Sequence, residues 1–134
     1  MKDQKYFKDL LYLVFHSPFH NNWQMNFVKT NFVPPFVRGQ YRVWYCDDEP
    51  VGCCVWAWVT DEILEKLKEN KYRIRPEDWS NGKNLWFQEF IAPFGKSREM
   101  VRDMRKILKE KHGDDVVGHW FRPSKQKLGK AITR

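Results

Sequence analysis

The spacing of apolar residues predicts two helices at the start of the chain. Across residues 6–15 the apolar positions fall three or four residues apart, as on the buried face of an amphipathic helix. Ser17 and Pro18 interrupt this pattern, and such a pair is a helix start signal because serine caps free amides and proline tolerates the first helical position. We therefore predict a second helix over residues 18–31, ended by the prolines at 34–35.

The middle of the chain has the composition and turn residues of a β-hairpin. Residues 41–46 and 51–59 are rich in Val, Trp, Tyr and Cys, and the acidic residues and proline between them are turn formers. Gly52, inside the returning strand, indicates a bulge or a close backbone approach. Thr60 is then placed to cap a helix over residues 61–70, which carries acidic residues in its first turn.

Three further segments complete the pattern and set the fold class. An apolar run over residues 85–94 predicts a central strand that ends at a Pro-Phe-Gly break, residues 97–111 have helical periodicity, and a short strand over residues 116–121 leads to a basic tail. This order predicts one α+β (mixed α/β) domain over residues 1–134, with a central, mostly antiparallel sheet flanked by helices. By fold analogy, a broken central strand followed by a long helix is typical of acetyltransferase-like (GNAT-like) N-acyltransferases.

Composition excludes several classes of protein. Aromatic residues make up 16% of the 134 residues, which argues against disorder because such side chains bury large areas. The three cysteines form no Cys-x-x-Cys pair, so we expect neither a disulfide framework nor a bound metal, and a reducing, cytoplasmic compartment fits best. No apolar run approaches the roughly 20 residues of a membrane span, and residues 1–8 lack the apolar core of a signal peptide.

The formal net charge of +7 favours an acidic partner without identifying it. An acidic carrier protein, nucleic acid and an anionic membrane surface all fit this balance. Nucleic-acid binding is kept as an alternative because of the interleaved aromatics, but it is not expected, since no recognition motif is present. Charge runs are usually solvated faces. The two candidate basic faces consist of Lys96, Arg98, Arg102, Arg105 and Lys106, and of Arg122, Lys125, Lys127 and Lys130.

His20 and Glu89 are the best candidates for acid–base chemistry. His20 would lie in the first turn of the second predicted helix, where the positive end of the helix dipole favours a neutral imidazole that accepts protons. Glu89 is a lone carboxylate in a strand otherwise suited to burial, so it needs a partner, and pairing with an imidazole would orient a general base. The ordinary alternatives are a surface or capping histidine and an outward-facing glutamate, and local pattern does not exclude them.

The two candidates lie in specific motifs. One motif is Ser-Pro-hydrophobic-His-x-x-Trp, which begins at Ser17 and ends at Trp23. The other is Trp-Phe-x-acid-aromatic-Ile-Ala-Pro-Phe-Gly, which occupies residues 86–95. In type and order both resemble the signatures of RTX toxin-activating lysine acyltransferases, and weaker matches extend the resemblance over residues 15–130. In that family the catalytic pair is a His and an Asp, so His20 corresponds directly and Glu89 adds a methylene.

The resemblance implies an activity and its partners. In this family a fatty acyl group passes from the phosphopantetheine thioester of acyl carrier protein to the ε-amine of an internal lysine of an RTX-type protoxin, on an acetyltransferase-like fold. It therefore implies acyl carrier protein and a protoxin as partners, with no tightly bound cofactor, and it is compatible with a homodimer. A missing Gly-x-Gly pyrophosphate loop also favours a carrier protein over coenzyme A.

Chemistry and resemblance together suggest how the site works. A lysine amine, with a reference pKa near 10.4, must lose a proton before it attacks a thioester, and His20 would accept that proton while Glu89 fixes the imidazole tautomer. Covalent acylation of His20 is a second route. Backbone amides near the break would hold the oxyanion. The expected substrate-binding residues are Ser17, Trp23, Pro93, Phe94, Gly95, Arg122 and Lys130.

Two features of the sequence motivate a catalytically silent relative as the alternative. Glu89 replaces the aspartate of the family, which changes the reach of the carboxylate. The chain also stops soon after Lys130, where relatives continue, so we expect substrate recognition to differ. Such a relative would bind a carrier or a toxin without acyl transfer.

Overall fold

A mixed β-sheet forms the centre of the fold. The computed structural model describes residues 4–122 and 127–133, and within them the sheet has five strands in the order of the chain. These are β1 Tyr41–Cys46, β2 Glu49–Val59, β3 Asn84–Ile91, β4 Val117–Arg122 and β5 Lys127–Ile132. Neighbouring strands are antiparallel except β3 and β4, which are parallel. The expected α+β class is confirmed, but β5 lies where a basic tail was predicted.

The described residues contain four α-helices, which cover the sheet, and one short 3-10 helix, Pro76–Asp78. The α-helices are α1 Gln4–His16, α2 Met25–Val37, α3 Asp61–Lys68 and α4 Ser97–His112. Thr60 caps α3 as predicted, because its side chain accepts the N–H of Ile63 at 3.2 Å. None of the helices in these ranges is both long and apolar enough to cross a lipid bilayer.

The second helix differs from the prediction at both ends. It begins at Met25, because residues 18–22 form turns instead of continuing as a helix. It also passes through Pro34 and Pro35, whose fixed φ is helical, although each proline removes an amide donor and its ring crowds the carbonyl four residues earlier. The side chain of Arg38 donates to the carbonyl of Pro34 at 3.0 Å and so satisfies one exposed acceptor.

The β1–β2 hairpin has a tighter turn than predicted. Asp47 and Asp48 both adopt positive φ, at 51° and 68°, which is the conformation of a two-residue hairpin turn, so β2 already begins at Glu49. The prediction for Gly52 is confirmed in both respects. The β1–β2 register shifts beside it, and a Cβ at Gly52 would overlap the side chain of Met100 in α4.

Alternation along β2 divides the interior between the two faces of the sheet. Cys53, Val55, Ala57 and Val59 face α1, α2 and α3, whereas Cys54, Trp56 and Trp58 face α4. The first face packs against buried residues of three helices, and the second against the buried stripe of one. Those partners are Leu10, Leu13, Phe32, Leu64 and Leu67 on the first face, and Met104 and Leu108 on the second.

The parallel strands diverge near the middle of the sheet. In the described residues β3 pairs with β4 only from Leu85 to Phe87, which lie opposite Gly118 and Trp120 respectively. Beyond Phe87, β3 continues to Ile91 beside β2 alone. The edge of β3 that faces β4 therefore opens at the segment that carries Glu89.

Close packing at Gly82 gives a stability prediction. The N–H of Gly82 donates to the carbonyl of Trp58 at 3.0 Å, and a Cβ at this position would overlap the backbone carbonyl of Val59. Because backbone atoms of β2 cannot move aside freely, Gly82→Ala should lower the free energy of unfolding by about 1–3 kcal/mol. Urea unfolding measures this, with the exposed neighbour substitution Lys83→Ala as control. Equal stability of the two variants would contradict the packing argument.

Candidate active site

The turn between α1 and α2 places Ser17 against His20. The backbone N–H groups of His20 and Asn21 both donate to the carbonyl of Ser17, at 3.1 and 3.0 Å, which curls the chain into a single turn. The side chains three residues apart therefore meet, and Ser17 Oγ lies 2.5 Å from His20 Nδ1. The serine hydroxyl contacts the ring and not a backbone amide, so the predicted capping role of Ser17 is wrong.

His20 is positioned by packing and not by a helix end. Because α2 begins at Met25, His20 does not lie in the first helical turn, where the dipole effect is concentrated, and that prediction is wrong. The residue is 8% exposed, and the centroid of its ring lies 4.7 Å from that of Trp23. Trp23 itself packs on the core formed by α1 and α2, so its indole ring is a fixed surface against which the imidazole packs. A substrate-binding role for Trp23 stays a prediction.

Strand β3 brings Glu89 to the other side of the imidazole. Glu89 Oε2 lies 2.6 Å from His20 Nε2, although the two residues are 69 positions apart in the chain. Both side chains are largely buried, with exposed fractions of 15% for Glu89 and 10% for His20. The extra methylene of glutamate therefore does not prevent contact. Ser17, His20 and Glu89 form one hydrogen-bonded row, called the triad below.

A β-bulge in β3 sets the direction of Glu89. In the β2–β3 register, Val55 lies opposite Glu89 and Trp56 lies opposite Phe87, which leaves Gln88 as an extra residue. Two successive residues at such a bulge share one partner and one face of the sheet. Gln88 and Glu89 accordingly both reach the face covered by α2 and by the turn before it.

Burial controls the proton affinity of groups around the triad. Desolvation raises the pKa of the Glu89 carboxyl, and the hydrogen bond and charge of His20 only partly oppose this. Burial also raises the pKa of the Cys53 thiol, with a further contribution from Glu89. A protonated, fully buried thiol is a poor nucleophile, so the nearby cysteine is not a candidate for covalent chemistry.

The His20–Glu89 pair has two arrangements of its protons. With Glu89 ionised, His20 Nε2–H donates to the carboxylate, and Nδ1 accepts the hydroxyl proton of Ser17. With Glu89 protonated, its O–H donates to Nε2, and Nδ1–H donates to Ser17 Oγ. Only the first arrangement lets the imidazole take up a proton from the serine side. The triad is therefore able to act as a base when Glu89 is ionised.

The predicted oxyanion residues lie in the turn after β3, with fewer free amides than expected. Pro93 has no amide hydrogen, and the N–H of Gly95, at φ 84°, already faces the carbonyl of Ala92 at 3.4 Å. The backbone amide of Phe94 is thus the remaining donor of the three. The ring of Phe94 is 46% exposed and lies 5.7 Å from the ring of His16, measured between centroids.

Of the two predicted C-terminal site residues, the structure describes the side chain of Lys130 alone. Lys130, in β5, lies opposite His119 of β4 and is exposed, and the structure records no contact between it and the triad. Burial lowers the pKa of His119, and the positive charge of Lys130 lowers it further. Arg122 is the last residue of β4, but its side chain lies outside the described residues, as do Pro123 and Lys125.

Gln88 and Asn31 adjoin the triad, and neither was predicted as a site residue. Gln88 Nε2 donates to Asn31 Oδ1 at 2.8 Å, and Gln88 Oε1 accepts the indole N–H of Trp86 at 2.9 Å. Asn31 in turn donates to the carbonyl of Phe27 at 2.9 Å. The sequence signal that could have identified Gln88 is that it stands next to Glu89 in an otherwise apolar strand. Two adjacent polar residues break the alternation of faces and indicate a bulge.

The remaining candidate sites in the described residues do not involve the triad. A cleft of about 600 Å³ lies where β3 and β4 begin, and Trp58, His112 and Val117 are among its lining residues. It contains none of the triad residues. The described ranges also hold no group of three or more His, Cys, Asp or Glu side chains placed to bind a metal ion.

Comparison with known proteins supports the resemblance noted from the motifs. The model of the RTX toxin acyltransferase family matches residues 1–132. The protein-lysine myristoyltransferase RtxC of Kingella kingae is 33% identical over 95 residues, which cover 71% of this chain and 57% of that protein. The lysine-acyltransferase RtxC of Vibrio cholerae is 35% identical over 94 residues, covering 68% of this chain and 60% of that protein.

A third relative matches over a longer stretch. The RTX-II toxin-activating lysine-acyltransferase ApxIIC of Actinobacillus pleuropneumoniae is 30% identical over 117 residues, which cover 87% of this chain and 71% of that protein. Against the two RtxC proteins, by contrast, the chain spans less than two thirds of the relative's length.

Proposed function

Because the chain belongs to the RTX toxin acyltransferase family, we propose that it transfers a fatty acyl group to the ε-amine of a protein lysine. The observation that carries this proposal is the triad, in which a buried imidazole contacts a hydroxyl on one side and a carboxylate on the other. His20 is the general base and Glu89 its carboxylate partner. The names of the relatives support the same reaction class, since they are lysine acyltransferases and a lysine myristoyltransferase.

The proposed reaction uses Ser17 as the link between substrate and base. Both imidazole nitrogens are occupied, so the amine reaches the base through the Ser17 hydroxyl. The lysine ε-ammonium first releases one proton to solvent, and the resulting neutral amine attacks the thioester carbonyl and forms the C–N bond. The nitrogen gives a proton to Ser17 Oγ as the serine proton moves to His20 Nδ1, and Glu89 stabilises the imidazolium.

The second half of the reaction returns the proton to the leaving group. The tetrahedral intermediate collapses, the C–S bond breaks, and the departing thiolate takes up the proton that His20 holds. The amide of Phe94 is the proposed donor to the oxyanion, since Pro93 and Gly95 offer no free N–H group. The products are the acylated lysine and the free thiol, with His20 again neutral.

The proposed donor is acyl carrier protein, whose phosphopantetheine thioester carries the acyl group. In support, Lys96, Arg98 and Arg102 are exposed around the first turns of α4, directly after the Phe94 turn, where an acidic carrier would meet positive charge. No metal ion is needed for this chemistry.

The remaining proposals concern the whole protein. Residues 1–134 act as one acyltransferase domain with a GNAT-like fold, which is supported by the divergence of the parallel strands and by the helix that follows β3. The acceptor is an RTX-type protoxin, in keeping with the toxin-activating name of one relative. A cytoplasmic location and a homodimer stay predictions.

Acyl transfer to a protoxin tests the proposal. The purified chain is incubated with myristoyl or palmitoyl acyl carrier protein and a protoxin acceptor, and peptides are analysed by mass spectrometry. We expect an acyl group on a lysine ε-amine, at a rate at least about 10²-fold above the reaction without the chain. The same acyl group on coenzyme A is the donor control and should react more slowly. A folded chain that gives no acylated lysine would identify a catalytically silent relative.

A further inference from the structure

We propose that Gln88 is a positioning residue, which holds the β3 bulge so that Glu89 points at His20. The inference goes beyond the proposed function and rests on it where the readout is activity. Gln88 has no recorded contact with Ser17 or His20, so it acts through its neighbour Glu89. Its side chain is held by hydrogen bonds to Trp86 in the same strand and to Asn31 in α2, and the Gln88–Asn31 bond is called the anchor below.

The hydrophobic pattern of β3 does not by itself choose the bulged register. In a regular strand Glu89, Phe90 and Ile91 would each turn to the opposite face, because a slip of one residue exchanges the faces. Phe90 now packs on the α4 side and Ile91 on the side of α1 and α2, so the slip would exchange these two apolar residues and would also turn the Glu89 carboxylate from His20 to the α4 side. Polar contacts are therefore what separates the two registers.

The amide of Gln88 is held at both ends. Its oxygen accepts the indole N–H of Trp86 at 2.9 Å, and its nitrogen donates to Asn31 Oδ1 at 2.8 Å. Asn31 is 8% exposed and is oriented by its own hydrogen bond to Phe27 in the preceding turn of α2. These hydrogen bonds hold the side chain of Gln88, the extra residue of the bulge, between β3 and α2.

The position of Glu89 depends on that anchor. At a bulge two side chains share the space opposite one residue, here Val55, so the direction of each is set by its neighbour as well as by the strand ladder. With Gln88 drawn towards Asn31, Glu89 takes the space beside His20 and reaches Nε2 at 2.6 Å. Without the anchor, the Glu89 side chain is free to point away from His20 as well as towards it.

Gln88→Met tests the inference, because methionine keeps the length of the side chain and forms neither hydrogen bond. We expect kcat for acyl transfer to fall about 10- to 100-fold with KM nearly unchanged. The downfield proton resonance of His20 Nε2–H, observed by NMR, should weaken or disappear. Unchanged kcat together with an unchanged resonance would overturn the inference.

Gln40→Met is the matched control. Gln40 is also a buried glutamine with bonds across strands, since its amide donates to the carbonyls of Trp56 and Trp79 at 2.9 and 3.0 Å. The control variant should lose thermal stability but keep kcat within about twofold and keep the His20 resonance. If both variants lost activity in proportion to their stability, the role of Gln88 would be structural only, and the inference would be wrong.

A double-mutant cycle gives a second readout. If Gln88 and Asn31 act as one anchor, Gln88→Met combined with Asn31→Leu should lower kcat no further than the more damaging single change. Multiplied effects would contradict a shared role. The NMR resonance separates this inference from the proposed function: a wild-type chain without acyl transfer would remove the function, while loss of the resonance in Gln88→Met would still support the positioning role.

Discussion

Replacing His20 by alanine is expected to lower the rate of lysine acylation by about 10³-fold. The reason is that the imidazole is the only group in contact with both Ser17 and Glu89 in the described residues, so its loss breaks the path from the amine to the carboxylate. The measurement is the initial rate of acyl transfer from acyl carrier protein, followed by mass spectrometry. Circular dichroism should show a folded variant.

Two controls keep this result specific. His112 lies at the end of α4 with its ring on Trp58, and the cleft that it lines contains no triad residue, so His112→Ala should keep the wild-type rate. Free imidazole should partly restore activity to His20→Ala, because it enters the space that the side chain leaves. A His20→Ala variant with the full wild-type rate would remove the assignment of His20 as general base.

Glu89→Gln is the second variant with a large expected effect. Glutamine keeps the shape and an acceptor for His20 Nε2–H but has no charge to stabilise the imidazolium, so the rate should fall about 10²- to 10³-fold. Wild-type activity should also fall as the pH drops through the raised pKa of Glu89, since the protonated pair cannot take up a proton. A pH–rate profile measures both, and the acidic limb of Glu89→Gln should lie at a different pH, because only the imidazole then takes up the proton.

The contribution of Glu89 to stability should depend on pH in the direction opposite to its contribution to activity. The folded-state pKa of Glu89 is raised by burial, so its contribution to stability is present below the unfolded pKa and is lost as the pH rises through the folded value. The wild type should therefore lose stability relative to Glu89→Gln as the pH rises above the ordinary range of a glutamate, about pH 4. Melting temperatures of both proteins over a pH series measure the difference, and a difference that does not change with pH would mean that Glu89 is not desolvated.

Local patterns predicted those elements whose causes are local. The cap at Thr60, the helix α4 and the Gly52 bulge all follow from residue type and spacing, and the structure confirms them. The start of α2 was missed because a single Ser-Pro signal does not show whether the turn after it will continue as a helix. The strand β5 was missed because its six residues show no regular alternation of apolar and polar positions, and its pairing with β4 is a long-range contact that periodicity does not record.

The candidate site divides in the same way. Ser17, His20 and Glu89 were identified from residue type and motif, before any contact was known. The two amides of the anchor, Gln88 and Asn31, were not, because their bonds join β3 to α2 across 57 residues of chain. Hydrogen bonds of that kind depend on how two elements pack, and no local pattern records the packing.

By itself, the sequence determined which residues have suitable chemistry, which strand and turn carry them, and which family they resemble. Only the tertiary structure decided that His20 lies in a turn, that Ser17 contacts its ring, and that Glu89 faces it. The physical reason is the register of β3. One extra residue, Gln88, changes the face to which Glu89 points, and the apolar pattern is almost the same in either register. Long-range hydrogen bonds determine which register β3 adopts, and these bonds exist only in the folded chain.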